Sequence, residues 1–166
     1  MRIGVFGDTH DNLVAIDKAL ALFEDEDVEA IIHTGDFCSP FALKLIVERI
    51  RVPLVGVYGN NDGERHGLAR LCPDLCVGPR RAELGGRKLC LIHDAARLRH
   101  EDEMAADIVI SGHTHAPVCR VNQGRLYLNP GECCGWLTGV GRASVLDTEA
   151  MTAHNRVVLE QERPRS

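Results

Sequence analysis

Five short apolar runs, rich in valine, isoleucine and leucine, each lead into a polar loop, and this recurrence limits the folds open to the chain. They occupy residues 3–6, 30–32, 54–58, 88–92 and 108–110. Runs this short and this β-branched read as buried strands rather than helix segments. Between the first two, Leu13, Ile16, Leu20 and Phe23 recur at helical spacing, which predicts a helix over 12–23 with Asp11 or Asn12 as its cap. Between the second and third, Leu43, Ile46, Val47 and Ile50 form one stripe. They predict a helix over 40–50, with Ser39 at the N-cap and Pro40 in the first helical position. Strands alternating with helices build βαβ crossovers and a mostly parallel sheet.

The second half changes character. Gly85-Gly86 lies between residues 81–84 and 87–92, and Asn122-Gln123-Gly124 joins 118–121 to 126–128. Both are hairpin signals. Ala143 and Val145, then Val157 and Leu159, alternate as antiparallel strands do, and 101–106 is a short helical candidate. A chain of 166 residues suits one domain, here 1–166 with two sheet regions, and needs no staple to hold its core. Nineteen basic against 24 acidic side chains leave a net charge of −5, without the basic footprint of a general nucleic-acid binder. The N-terminal apolar run is too short for a signal peptide and nothing later approaches a membrane span, so the expected location is cytoplasmic. The seven cysteines therefore read as free thiols. Cys72 with Cys76, and Cys133 with Cys134, lack a second pair at zinc-site spacing and read as small buried apolar residues.

The chemistry-bearing residues follow the five predicted strands. The loops are Gly7-Asp8-Thr9-His10, Gly35-Asp36, Gly59-Asn60-Asn61-Asp62, Ile92-His93-Asp94 and Ser111-Gly112-His113-Thr114-His115. Ligands of open α/β sheets bind beyond the carboxyl ends of the strands, so these loops should converge. They would bring together Asp8, His10, Asp36, Asn60, His93, His113 and His115. Oxygen and imidazole donors without thiolate suit Mn²⁺, Fe²⁺, Ni²⁺ or Zn²⁺. Seven donors exceed what one ion with an open position needs, and two divalent ions sharing a carboxylate use them economically. Two such ions, two aspartates, a hydroxide and a phosphodiester monoanion add to neutrality. Four of the five loops place glycine just before the polar residue, which is expected to permit the unusual backbone angles and close chain approach that a crowded ionic site requires. On an extended loop, Asp8 with His10 and His113 with His115 would point the same way.

Taken singly, these residues have plainer readings. An aspartate after a strand is usually a cap or turn residue, and Asp62-Gly63 reads as a tight turn. His33, His66, His100 and His154 read as hydrogen-bonded or solvated, and Trp136 as either pocket rim or packing.

The ordered set Asp-x-His, Gly-Asp, Gly-Asn-x-Asp, His and Gly-His-x-His resembles the calcineurin-like metallophosphoesterase superfamily. The resemblance runs from residue 3 to about 148 and is strongest to its small single-domain archaeal and bacterial phosphodiesterases. Cys38-Ser39-Pro40 and the run 129–135 are similar to that subgroup too. The resemblance implies an α/β fold, a four-layer α-β-β-α sandwich of two mixed sheets flanked by helices. It implies that Asp8, His10 and His115 hold one ion, that Asn60, His93 and His113 hold another, and that Asp36 bridges them. A hydroxide held between the metals, with Mn²⁺ the favoured ion, would attack phosphorus in line, Asp36 and Asn60 being the catalytic positions. It further implies a small phosphodiester substrate and allows a homodimer. A phosphomonoesterase with the same site is the first alternative. A protein-binding scaffold is the second, since one retromer subunit resembles this family with an incomplete metal set. Two positions depart from common family patterns. Asn61 stands where many members carry a histidine that can protonate the leaving group, which makes Asn61 a substrate-binding candidate and shifts the acid role toward His66 or a metal-bound water. Asp94 follows His93 where glycine is usual, either adding negative charge beside the metals or pointing away.

Overall fold

The first strand, β1 (Arg2–Phe6), shows how the layers arise. Alternate side chains of a strand leave on opposite faces. Ile3 and Val5 enter a core between two sheets, and Phe6 enters a second core under helices. The computed structural model describes residues 1–161. After β1 come α1 (Leu13–Asp25), β2 (Ala30–His33), α2 (Pro40–Arg49), β3 (Leu54–Tyr58), α3 (Arg65–Leu71) and β4 (Cys76–Val77). The hairpin β5 (Arg80–Leu84) and β6 (Arg87–Leu91) follows, then α4 (His100–Met104) and β7 (Ile108–Ile110). The chain continues through β8 (Val118–Asn122), β9 (Arg125–Asn129), β10 (Val140–Asp147) and β11 (Thr152–Glu160).

One sheet has the order β11-β10-β1-β2-β3-β4 and the other β5-β6-β7-β9-β8. The strands β1 to β4 run parallel, Ile3 facing Ala30 and Val5 facing Ile32, whereas β10 lies antiparallel to β1. In the second sheet the central pairs β6–β7 and β7–β9 are parallel, and β5 and β8 close the edges antiparallel. Both sheets are mixed. Ile32, Leu89, Leu91, Ile108, Ile110 and Leu126 fill the space between them. Full burial of each contributes roughly 1.5–3 kcal/mol. Phe23, Leu43, Ile46 and Leu68 seat α1, α2 and α3 on the first sheet. Cys90, Ala106 and Val109, with Leu98 and Tyr127 packed on them, cover the far face of the second. The expected four-layer sandwich is therefore present.

Asn12 caps α1, its side chain accepting from the Ala15 amide. The expected cap of α2 takes another form. Ser39 occupies the position without bonding the helix, and its hydroxyl goes instead to Asp11 Oδ1 at 2.6 Å. Loop-to-loop bonding outcompetes the cap there, while Pro40 still starts the helix. The expected 101–106 helix starts one residue and ends two residues earlier, at His100–Met104. Neither α3 nor β4 is visible in the hydrophobic pattern: α3 buries only Leu68 and contains Gly67, and β4 has two residues.

Candidate metal centre

All five loops meet at the carboxyl ends of β1, β2, β3, β6 and β7, bringing together the seven expected donors. The first two loops are stitched by main-chain bonds: Asp8 N to Gly35 O at 2.9 Å, and Thr9 N and His10 N to Asp36 O, each at 3.1 Å. The amides of Cys133 and Cys134 bond the carbonyls of Gly7 and Asp8, tying in the loop after β9. The donors then fall into two groups sharing one carboxylate. Asp36 Oδ2 lies 3.6 Å from His10 Nε2 and 3.4 Å from His93 Nε2. On one side, His115 Nε2 is 3.5 Å and His10 Nε2 4.0 Å from Asp8 Oδ1. On the other, Asn60 Oδ1 is 2.9 Å from both His93 Nε2 and His113 Nδ1.

The backbone that achieves this is not an extended loop. Asp8, His10, Asp36, His113 and His115 have φ of 48°, 40°, 60°, 69° and 60°, all left-handed. Such a conformation costs a non-glycine residue on the order of 1 kcal/mol or more, and strain of this kind gathers at functional sites. The strain therefore sits mainly on the donors themselves: of the four glycines before them only Gly35, at φ 104°, adopts the unusual angle that the sequence suggests. The glycines serve close approach. A Cβ at Gly7 would stand 1.8 Å from Thr34 Oγ1, and one at Gly59 would stand 2.0 Å from Asp36 Oδ1.

Hydrogen bonding fixes the imidazoles. His93 Nδ1 donates to Thr34 O at 2.9 Å, and His115 Nδ1 donates to Glu132 Oε2 at 3.0 Å. With Nδ1 committed as donor, Nε2 of each ring is the atom left facing oxygen, Asn60 and Asp36 for His93 and Asp8 for His115, and for His93 a proton there bonds Asp36 until a cation takes its place. His10 Nε2 is buried without any hydrogen-bond partner, and its Nδ1 faces Cys38 Sγ at 3.3 Å. Lone pairs and carboxylates aimed at one another are stabilised by a cation between them. The donor set thus fits divalent ions.

Charge in the site is set by the same contacts. Burial raises the Asp36 carboxyl, but bonds from His93 and from the Asn61 side chain and amide outweigh it and hold the group well below the usual range. Asp8 is pushed up by its burial, opposed by His93 and His115. Burial lowers His93, yet the bond and charge of Asp36 more than restore it. Burial also pushes the Cys38 thiol up to about 12, so that it stays neutral.

Other expectations resolve plainly. Asn61 donates through both its amide and its side chain to Asp36, each at 2.8 Å, and so orients the shared carboxylate. His66 is exposed on α3 and is not among the residues lining the cavity beside the donors, where its neighbour Arg65 stands. Asp94 points away from the donors: Oδ1 accepts from Ala96 N at 3.0 Å and Oδ2 faces Arg97 Nε at 3.5 Å. His33 is structural. It stacks on Phe37 with centroids 3.6 Å apart, accepts from Gly35 N at 3.1 Å and donates to Thr9 Oγ1 at 3.2 Å. Trp136 lies at the rim, donating to His10 O at 3.2 Å. Cys133 and Cys134 are buried, as expected, and Cys134 packs beside His10 and His115.

Two carboxylates carry more than their sequence context suggests. Asp62, read as a turn residue, is 2% exposed and accepts from the amides of Gly59, Asp36 and Cys38 at 2.7, 3.1 and 2.8 Å. It clamps the second loop against the third. Glu132 is fully enclosed and accepts from His115, from Leu137 N at 3.1 Å and from the amide of Thr138. Burial raises its carboxyl, but the bonds from Thr138, His115 and Leu137 hold it down at about 2. The only hint in the sequence is that Glu132 lies in the run 129–135.

A two-sheet sandwich carrying aspartate, asparagine and histidine donors on loops at one end of both sheets defines a metallophosphoesterase-like protein. The sequence matches the calcineurin-like phosphoesterase superfamily domain over residues 1–151, and the chain belongs to that family. It is 40% identical to a phosphodiesterase of Methanocaldococcus jannaschii, over 96% of this chain and all of the relative. It is 35% identical to a probable metallophosphoesterase of Methanothermobacter thermautotrophicus, over 79% of this chain and 76% of the relative. Among solved structures, a novel archaeal phosphodiesterase superposes with a TM-score of 0.82 at 37% identity, over 95% of this chain and 99% of that one. Vps29 of Entamoeba histolytica, in its zinc complex, shares the fold with a TM-score of 0.67 at 20% identity, over 96% of this chain and 99% of that one.

Proposed function

We propose that the protein is a phosphodiesterase acting through two divalent metal ions, with Mn²⁺ the favoured ion. Asp8, His10 and His115 would hold one ion and Asn60, His93 and His113 the other, with Asp36 shared. The observation that carries this reading is the set of imidazole Nε2 atoms, two oriented by the bonds of Nδ1 to Thr34 O and Glu132 and a third unpartnered on His10, all facing carboxylate or amide oxygens. The ions, when bound, supply Lewis-acid charge for the phosphoryl oxygens and an activated water. The chain's own residues do the positioning. Asn61 and His93 keep Asp36 ionised, and Glu132 fixes the tautomer of His115. The left-handed turns at Asp8, His10, His113 and His115 hold the donors before any ion arrives, so little reorganisation is needed on binding.

The phosphodiesterase name of the 40%-identical relative supports a diester over a monoester, as does charge, since a dianionic monoester would leave the loaded site one charge more negative. The reading extends to one domain over 1–166 acting on a small phosphodiester in the cytoplasm, and it allows a homodimer. No helix among the described residues is long and apolar enough to cross a membrane. The test strips the protein of metal and restores Mn²⁺, assaying bis(p-nitrophenyl) phosphate against p-nitrophenyl phosphate for wild type and His115→Ala. Diester hydrolysis that returns with metal and collapses in the variant is the expected result. A monoester preference overturns the substrate class, and absence of all hydrolysis overturns the enzyme reading in favour of a scaffold.

A further inference from the structure

Beside the Asn60–His93–His113 group, the surface continues into a cavity of about 350 Å³. That volume falls within the usual range for small-ligand pockets, roughly 300–1,000 Å³. Tyr58, Arg65, Asp94 and Arg97 line it, and Asn60 and His113 belong to both cavity and donor cluster. The recess is therefore open to one ester arm of a phosphodiester held at the donors.

The two arginines differ in what they leave for a ligand. Arg97 is 83% exposed along its side chain and already faces Asp94, so its charge is locally offset. Arg65 is held by main-chain oxygens, Nε on Asp62 O at 3.2 Å and Nη2 on Gly59 O at 3.4 Å, with its guanidinium 5.0 Å from the centre of the Tyr58 ring. Carbonyls orient a guanidinium without cancelling its charge. Glu64, its neighbour in sequence, makes no ion pair with it among the described residues, and Asp62 has its carboxylate committed to the three amides of Gly59, Asp36 and Cys38. Among the described residues, no carboxylate is paired with Arg65. A fixed, uncompensated guanidinium one residue's carbonyl away from Asn60 is a binding group with no structural debt to discharge. In a chain of net charge −5, it is also a local exception in sign.

We propose that this cavity selects phosphodiesters whose arm carries a second anionic group, a terminal phosphate above all, recognised by Arg65 with assistance from Arg97. The inference rests on the phosphodiesterase reading and specifies its substrate class. Neutral and singly charged arms would occupy the recess without using Arg65. A planar guanidinium held at its Nε edge by carbonyls retains donor hydrogens suited to phosphate oxygens. A charge-assisted bond of this kind, at a partly solvated site, is worth about tenfold in kcat/KM.

The test compares two chromogenic diesters with the same leaving group: the p-nitrophenyl ester of thymidine 5′-phosphate, and the same compound bearing a 3′-phosphate. Wild type with Mn²⁺ should favour the 3′-phosphorylated ester by about tenfold in kcat/KM. Arg65→Met should bring that ratio toward one, whatever its absolute rate, and Arg65→Lys should retain part of it. Calorimetric binding of thymidine 3′,5′-bisphosphate against thymidine 5′-phosphate to the metal-free protein should show the same preference and its loss in Arg65→Met, a readout independent of turnover. A wild-type ratio near one, or one unchanged in Arg65→Met, overturns the inference while leaving the diesterase reading intact. If neither ester nor bis(p-nitrophenyl) phosphate is hydrolysed, the diesterase reading itself fails and takes this inference with it.

Discussion

Replacing Glu132 with glutamine tests whether an enclosed carboxylate organises the candidate metal centre. The substitution keeps shape and one acceptor oxygen, but it turns an NH₂ toward donors that the carboxylate accepts from: His115 Nδ1, Leu137 N and the Cys134 thiol on one oxygen, or Thr138 N on the other. In the folded protein the carboxyl is held at about 2 against an ordinary 4.5. Through linkage, that difference is worth about 3 kcal/mol at neutral pH. A depressed acid contributes stability that is fully present above its unfolded value and is lost as pH falls through its folded one. The metal-free variant should therefore be about 2–3 kcal/mol less stable at pH 7. In a chain of this length that corresponds to roughly 5–10 °C in Tm. The gap should narrow as pH falls from 4.5 toward 2. Urea unfolding in chelator from pH 7 to pH 3 reads it directly. Freed of its partner, His115 should also bind metal about 10–100-fold more weakly, measured by calorimetry with Mn²⁺. A stability gap that is below about 1 kcal/mol, or flat with pH, refutes the role assigned to Glu132.

Other perturbations separate the parts of the site. Gly59→Ala places a Cβ 2.0 Å from Asp36 Oδ1. Overpacking of this sort costs about 1–3 kcal/mol, so unfolding should show that loss together with weakened metal binding; unchanged metal affinity would mean that Asp36 has room to move. Asp36→Asn removes the one carboxylate shared by both groups and should lower metal affinity by at least about 100-fold, with two-ion stoichiometry lost on titration. His33 is buried neutral, its burial lowering it well below 6.5, so the unfolded chain gains a proton there before the native one does. Native stability should therefore fall as pH drops below 6.5, by at most about 1.4 kcal/mol per pH unit from this group. In His33→Gln that share of the slope should vanish between pH 7 and 5, whereas an identical slope would show His33 protonated in the fold.

What the sequence discloses here follows from how local the determinants are. Strands such as Ile108–Ile110 are legible because burial on both faces forces a continuous β-branched run, and chain order then puts every following loop at one end of the sheets. The seven donors are legible for the same reason: each stands within a few residues of a strand end. Elements that bury little leave little trace, and α3 with Leu68 as its one buried residue is the example. Residues acting through distant partners leave none. Glu132 meets His115 from 17 positions away, and Asp62 reaches back to Asp36 and Cys38, so a buried clamp looks like an ordinary loop acid or turn. Backbone conformation is the deepest omission. Glycines draw attention to strain, yet of those before the donors only Gly35 has positive φ, whereas the donors Asp8, His10, Asp36, His113 and His115 are all left-handed. They are held there by bonds such as Asp8 N to Gly35 O and Cys134 N to Asp8 O, which exist only once five loops have come together. Pre-organisation at this site is thus a property of the assembled loops, with the glycines making room and the donors bearing the cost.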